Sequence, residues 1–218
     1  MYSLPLDYIF ISYLCHLCSF LPFLLYMRYG GQKIDTKRYL YAYTLLLVVV
    51  NLVMIATENL GLVDHWLYNS FLILEFLLLS MYFNQISKIA WIKQAILGFQ
   101  CFFVGICVYE LLWLKELFKV NENIKAIGSL GIIGFCLMYF YQLLKLLQVP
   151  KIWHDPIFLI AASAFFYFTS NFVFSVFARN ILWGNQQNAI FIFRYILLLS
   201  IVYFCSLSYA IWNIQRLK

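Results

Sequence analysis

The sequence predicts an all-α, polytopic membrane protein in which seven transmembrane helices form a single bundle over residues 1–218. Hydrophobic residues make up 65% of the chain and charged residues 11%, and the mean hydropathy of +0.85 is far above that of soluble domains. The apolar runs are continuous and do not alternate with polar residues, which favours helices over the strands of an outer-membrane barrel. Seven of these runs are long enough to cross a bilayer.

A helix needs about twenty apolar residues to cross the hydrocarbon region, and this length defines the predicted spans. The connections between them are short and hold most of the glycines, prolines and charges, which leaves no segment long enough for a separate soluble domain. The stretch before the first span lacks the basic region of a removable signal peptide, so this run is expected to remain as a helix. The predicted spans are approximately 6–28, 39–63, 66–86, 92–113, 124–147, 157–178 and 189–212.

The lysines and arginines are unevenly divided between alternate ends of the spans, and this predicts the orientation of the chain. Ten of them fall on one side and four on the other, and cytoplasmic loops carry the excess of basic residues. The first, third and fifth loops and the C-terminus are therefore predicted to be cytoplasmic, with the N-terminus outside. The net charge of +6 is dispersed over these loops, so we interpret it as topology information and expect no nucleic-acid partner.

Polar side chains repeat along single faces of the second and third spans. Thr44, Asn51 and Glu58 are seven residues apart, which is nearly two helical turns. Tyr68 and Glu75 have the same spacing in the third span. An ionised group inside the bilayer costs at least a few kcal/mol, so such residues usually face the bundle interior. Both stripes are therefore expected to point inward.

The later spans add further polar residues at similar depth. Tyr167 and Asn171 lie one turn apart in the sixth span, and Arg194 is inside the seventh. Together with the two stripes they predict a polar site in the outer half of the bundle, in which Arg194 pairs with Glu58 or Glu75. The alternative is that Arg194 and one glutamate form only a buried pair that orients the helices. The candidate residues for a ligand or proton site are Glu58, Glu75, Arg194, Asn171, Tyr68, Tyr167 and Asn51.

Other local patterns predict structure and not chemistry. Asp155 followed by Pro156 is typical of the N-cap and first position of a helix, here the sixth. Gly128, Gly131 and Gly134 recur at every third position of the fifth span and permit close approach of another helix. Cys15, His16 and Cys18 do not share one helical face, so we predict no metal site, and His16 is expected to contact another helix. No signature of catalytic residues or of a cofactor site is present.

The stretches around Glu58, Glu75 and Asn171 resemble a family of uncharacterised seven-helix inner-membrane proteins of Bacteroidota. The resemblance lies in ATENLG, in YNSFLILEF and in DPIFLIAASAFFYFTSNFVFSVF, and it extends over nearly the whole chain. It implies the bacterial inner membrane as the location. It also implies a signalling association, because members of that family are often encoded beside sensor histidine kinases. The chain departs from the family pattern at Leu159, at Thr169 and Ser170, and at Phe193 and Arg194.

These observations predict a sensory, signal-transducing membrane protein. It would bind a small or lipid-like ligand, or sense protonation at Glu75, and pass the change to a cytoplasmic partner such as a sensor kinase. Three alternatives from other classes are a secondary transporter with Glu75 as the coupling site, a lipid-modifying intramembrane enzyme, and a structural subunit of a membrane complex. An enzyme is the less favoured interpretation, because the sequence offers no recognisable nucleophile or acid and base pair.

Overall fold

The computed structural model describes residues 6–29, 37–59, 65–112, 121–146, 155–184 and 186–216. Regular secondary structure within these ranges is entirely α-helical, and the seven helices are each long and apolar enough to cross a bilayer. The predicted fold class is thus confirmed, while the side of the membrane on which the termini lie stays a prediction. The helices are α1 (Leu6–Tyr29), α2 (Lys37–Asn59), α3 (His65–Ile86), α4 (Ala90–Leu112), α5 (Glu122–Leu146), α6 (Pro156–Gly184) and α7 (Gln186–Arg216).

The start of α6 follows the capping pattern predicted from the sequence. The Asp155 carboxylate accepts a hydrogen bond from the backbone N–H of Ile157 at 3.0 Å, and the helix begins at Pro156. The other oxygen of Asp155 accepts a hydrogen bond from the Tyr139 hydroxyl of α5 at 2.9 Å. The cap therefore also fastens the beginning of α6 to the end of α5.

Six of the helices pack in a closed circle, and α4 lies outside it. Around the circle α1 contacts α2, α2 contacts α3, α3 contacts α5, α5 contacts α6, α6 contacts α7, and α7 returns to α1. The fourth helix packs on the outer faces of α3 and α5. Successive helices run in opposite directions, so the odd-numbered helices begin at one end of the bundle. We call this end side one and the opposite end side two; the sequence-based orientation assigns side one to the exterior.

The contact between α3, α4 and α5 is built from phenylalanine rings. Phe76 lies at its centre, with ring centroids 4.0 Å from Phe103 of α4 and 6.0 Å from Phe135 of α5. Gly131 of α5 makes room for this cluster, because a Cβ built there would come within 2.8 Å of the Phe76 ring. Of the three regularly spaced glycines, Gly134 has no such neighbour within 4 Å. At Gly131 the neighbouring atoms belong to aromatic side chains of α3 and α4, so this glycine makes room for rings.

A network of amides and one carboxylate joins three helices at side one. Asn121 caps α5, since its side-chain oxygen accepts the N–H of Asn123 and of Ile124, each at 3.1 Å. Its side-chain amide donates to the Glu110 carboxylate of α4 at 2.8 Å, and its backbone N–H donates to Asn69 of α3 at 3.2 Å. Glu110 and Asn69 are buried, so this network satisfies polar groups that would otherwise be costly to bury.

Candidate functional site

The buried carboxylate of Glu75 lies in the middle of α3, ten residues after the helix begins and eleven before it ends. Its side chain is 5% exposed. The predicted inward orientation is thus what the structure has. A carboxylate at this depth is far from both ends of the span, so the groups that contact it decide its charge.

Tyr43 of α2 donates a hydrogen bond to the Glu75 carboxylate, with 3.2 Å between the two oxygens. The hydroxyl oxygens of Tyr43 and Tyr203 of α7 are 3.0 Å apart. A hydroxyl has one hydrogen, and that of Tyr43 is used on the carboxylate, so Tyr203 must be the donor in the second bond. The result is a chain from Tyr203 through Tyr43 to Glu75, which joins α7, α2 and α3 across the centre of the circle.

Two further tyrosines surround this hydrogen-bonded chain. The Tyr167 ring of α6 is stacked on that of Tyr203, with centroids 4.7 Å apart and planes inclined by 6°. Its hydroxyl interacts electrostatically with Glu75 and with Tyr68, which lies two turns before Glu75 on α3. Tyr68 and Tyr167, both predicted site residues, therefore lie beside Glu75. The carboxyl and the four tyrosines thus come from α2, α3, α6 and α7.

Lys125 is the cation that acts on Glu75. It lies in the first turn of α5, where its ammonium group interacts electrostatically with the Glu75 carboxylate and with the Tyr68 hydroxyl. The same ammonium lies 5.0 Å from the centroid of the Phe174 ring of α6, within the range of a cation–π contact. Lys125 thus places a positive charge between Glu75 and side one.

A small cavity separates Glu75 from the first turn of α5. Its volume is about 20 Å³, and a bound water needs roughly 10–15 Å³ by this measure, so it has room for about one water molecule. Polar side chains meet apolar ones on its walls. The residues that line it are Leu72, Glu75, Phe76, Ile124, Lys125, Gly128, Ser129, Ile132 and Phe168.

Asn51 and Asn171 lie nearer side one than the chain of tyrosines. Asn51 is eight residues beyond Tyr43 on α2, and its side-chain oxygen is 2.7 Å from Nδ1 of His16 on α1. This is the contact with another helix that was expected for His16. The Asn171 amide donates to the backbone carbonyl of Tyr167, one turn earlier in its own helix, at 3.1 Å. Both asparagines are therefore engaged in contacts that do not involve Glu75.

The sequence predicts that Arg194 pairs with Glu58 or with Glu75. Glu75 interacts with Tyr43 and Lys125, and its pairing with Arg194 stays a prediction. Arg194 lies nine residues before Tyr203 on α7, which is about 13 Å toward side one. The side chain of Glu58 is outside the described residues, so its pairing with Arg194 stays a prediction.

Three residues of the site were not predicted from the sequence: Tyr43, Tyr203 and Lys125. The sequence does contain an indication for the two tyrosines. A hydroxyl near the middle of an apolar span needs a hydrogen-bond partner, which places it on an inward face. In the sequence, Lys125 is one of the four basic residues at the less basic ends of the spans, where a lysine is ordinarily a marker of topology. Its inward direction depends on the packing of α5 against α3 and α6, which local sequence does not specify.

The described residues contain no group of three or more His, Cys, Asp or Glu side chains arranged to hold a metal ion. The groups that the described part of the site offers for chemistry are the Glu75 carboxyl, the Lys125 ammonium and the tyrosine hydroxyls. Comparison with known protein families, with curated proteins and with solved structures found no match. The interpretation of the site accordingly depends on its own geometry.

Proposed function

We propose that this chain is a proton-responsive, signal-transducing integral membrane protein in which the carboxyl of Glu75 is the switch. The observation that carries the proposal is the hydrogen-bonded chain from Tyr203 through Tyr43 to Glu75. This chain connects three helices that are distant in sequence at the centre of the bundle. A change in the charge of Glu75 therefore alters contacts between helices and not only a local side chain.

The size of the cavity favours a proton over a larger ligand. It holds about one water molecule, which can carry a proton to Glu75 but leaves no room for a lipid-like molecule. Intramembrane carboxyl groups are typical of proton relays, because low polarity makes their two charge states differ strongly in free energy. Of the two kinds of site expected from the sequence, the geometry thus favours the proton site.

Protonation of Glu75 changes the role of every group in the chain. An ionised carboxyl accepts hydrogen bonds only, whereas a protonated one also carries a donor. When Glu75 is ionised, Tyr43 must donate to it and Tyr203 must donate to Tyr43. When Glu75 is protonated, that order is no longer required, and Lys125 loses the negative charge that it faces. Both effects weaken the arrangement that holds α2 and α7 to α3.

Such a change shifts the population of two bundle arrangements, provided that the proton binds one of them more tightly. We propose that the shift is transmitted to a cytoplasmic partner at the basic side of the bundle. A sensor kinase is the partner that the family resemblance implies, and a bacterial inner membrane is the corresponding location.

The proposal is tested by measuring the distance between α2 and α7 as a function of pH. Spin-labelled unnatural amino acids at Leu45 and Val202, which are both exposed on the lipid face, report this distance in lipid nanodiscs. We expect the wild-type distance to change with pH and the Glu75→Gln protein to keep the low-pH distance throughout. Glu110→Gln removes the charge of another buried carboxyl and is expected to behave like the wild type. A wild-type distance that does not vary with pH would refute the proposal.

A further inference from the structure

The circle of six helices consists of two halves with the same internal arrangement. In the first half α1 contacts α2 and α2 contacts α3; in the second α5 contacts α6 and α6 contacts α7. The halves meet twice, where α3 contacts α5 and where α7 contacts α1. Exchanging α1, α2 and α3 with α5, α6 and α7 leaves this set of contacts unchanged. Because α1 and α5 both begin at side one, the two halves have the same order and direction of helices.

Several buried positions of the two halves are separated by the same 120 residues. This spacing occurs between α2 and α6 and between α3 and α7, so parts of the inward faces of the halves correspond. Asn51 and Asn171 are also 120 residues apart. The pairs in which both members are buried include Leu40 and Ile160, Thr44 and Ala164, Val48 and Phe168, Ser80 and Ser200, Phe83 and Tyr203, and Ser87 and Leu207.

Glu75 breaks this correspondence. The position 120 residues later is Tyr195, which is 57% exposed, so a buried carboxyl at this position occurs in the first half alone. Its partners come from both halves: Tyr43 belongs to the first, and Tyr203 and Lys125 to the second. Glu75 therefore lies at the boundary between the halves, at the middle of the span.

A site at this place has a known use in membrane transport. In transporters built from repeated halves, the coupling ion binds near the middle of the membrane at the interface of the repeats, and one half rocks against the other. We propose that this protein carries protons across the membrane, with Glu75 alternately open to side one and to side two as the halves move. This inference rests on the proposed protonation of Glu75 and adds net movement of the proton.

The space next to Glu75 differs between the two directions along the bundle. The water-sized cavity lies between Glu75 and Lys125, toward side one. In the other direction Leu79, Tyr82 and Phe83 of α3 are all buried and separate Glu75 from side two. At the side-two end, Tyr139 donates a hydrogen bond to the half-buried carboxylate of Asp155 and joins α5 to the start of α6.

The proton balance of the cycle is simple. In the state open to side one, a hydronium ion gives its proton to the Glu75 carboxylate, which leaves water and a neutral carboxyl. The halves then move while Glu75 is neutral, which avoids carrying an unpaired charge through the apolar centre. In the state open to side two, the O–H bond of Glu75 breaks and the proton passes to a water molecule, which becomes hydronium. The halves then return to the state open to side one with Glu75 ionised and its charge offset by Lys125, which closes the cycle.

Proton flux into proteoliposomes that contain a trapped pH-sensitive dye tests this inference, with potassium and valinomycin present to clamp the membrane potential. After an external acid jump, we expect wild-type vesicles to acidify faster than protein-free vesicles and Glu75→Gln vesicles to acidify at the protein-free rate. Glu110→Gln, with a buried carboxyl outside the boundary, should retain the wild-type rate. Wild-type flux at the protein-free rate, or undiminished flux in folded Glu75→Gln, would overturn the inference.

A second variant tests the movement of the halves without altering Glu75. The Gln142 side chain of α5 accepts the backbone N–H of Lys88, just after α3, at 2.7 Å, so these residues join the halves at side two. The paired substitutions Lys88→Cys and Gln142→Cys allow a disulfide that keeps this end closed. We expect oxidation to abolish the flux and a reductant to restore it; equal flux in both states would overturn the rocking movement.

The distance measurement of the proposed function, made on the same protein, separates the two proposals. A pH-dependent distance between α2 and α7 without proton flux would leave the sensor intact and overturn transport. A constant distance without flux would overturn both.

Discussion

The hydroxyl of Tyr203 donates a hydrogen bond to that of Tyr43 over 3.0 Å, although the two residues are 160 positions apart in the chain. Its direction follows from the neighbouring bond, in which Tyr43 donates to the Glu75 carboxylate. The charge state of Glu75 therefore determines the direction of a hydrogen bond between α2 and α7. Tyr43 and Tyr203 are therefore expected to contribute unequally to the protonation equilibrium of Glu75.

Replacing Tyr43 with Phe should increase the protonated fraction of Glu75 at a given pH, because the ionised carboxyl loses its donor. Hydrogen bonds between transmembrane helices contribute about 0.6 kcal/mol on average and up to about 1.7. The ratio of protonated to ionised Glu75 should thus rise roughly three- to twentyfold. The carboxylic C=O band in infrared difference spectra measures this ratio.

The variants Tyr203→Phe and Tyr209→Phe are the controls for the effect of Tyr43→Phe on the protonated fraction of Glu75. Tyr203→Phe leaves the donor of Glu75 in place and should have a smaller effect. Tyr209 lies on the same helix but is exposed, so its substitution should have none. An effect of Tyr203→Phe larger than that of Tyr43→Phe would contradict the order of donors described here.

The substitution Gly131→Ala should destabilise the bundle, because its Cβ would enter the space of the Phe76 and Phe99 rings. Overpacking of this kind costs about 1–3 kcal/mol. Gly134→Ala has no neighbour within 4 Å and should be neutral or stabilising by up to about 1 kcal/mol. Reversible unfolding in mixed micelles compares the two. Equal destabilisation would mean that the ring cluster is not the reason for a glycine at position 131.

The substitution Asn121→Ala should lower stability more than Asn123→Ala. Asn121 caps α5 and donates to Glu110 at 2.8 Å, whereas the Asn123 side chain makes one longer bond of 3.3 Å to the same carboxylate. Loss of an N-cap costs about 0.5–2 kcal/mol. The same unfolding assay provides the measurement. A larger loss in the Asn123 variant would indicate that the contact with Glu110 outweighs the cap.

The orientation of the bundle is tested by fusing reporters to the C-terminus. Basic residues are concentrated in the first, third and fifth loops and after α7, so this end is expected in the cytoplasm. A green fluorescent protein fused there should fluoresce, and an alkaline phosphatase fused at the same position should be inactive. The opposite pair of results would place side one in the cytoplasm.

The helices were predictable because hydrocarbon imposes a length and a composition that single segments must satisfy alone. The cap at Asp155 and the inward direction of Glu75 follow equally from local rules, since a carboxylate is costly to expose to lipid. These features depend on residues close together in sequence.

The partners of Glu75 were not predictable in the same way. Tyrosine and lysine are common at membrane interfaces, so Lys125 in a first turn has an ordinary explanation without any inward contact. Its direction and the meeting of Tyr43 with Tyr203 depend on which helices are neighbours. That order, with α4 outside the circle, comes from packing over the whole chain.

The position of α4 has a consequence for biosynthesis. A chain that crosses the membrane three times ends on the side opposite to its start. If α5 followed α3 directly, α5, α6 and α7 would each cross in the direction opposite to that in the structure. One additional crossing restores the parity, and it can lie against the lipid because its task is to return the chain to the first side. Deleting α4 should therefore invert the insertion of α5, α6 and α7, and move Lys125 to side two, half the thickness of the membrane away from Glu75.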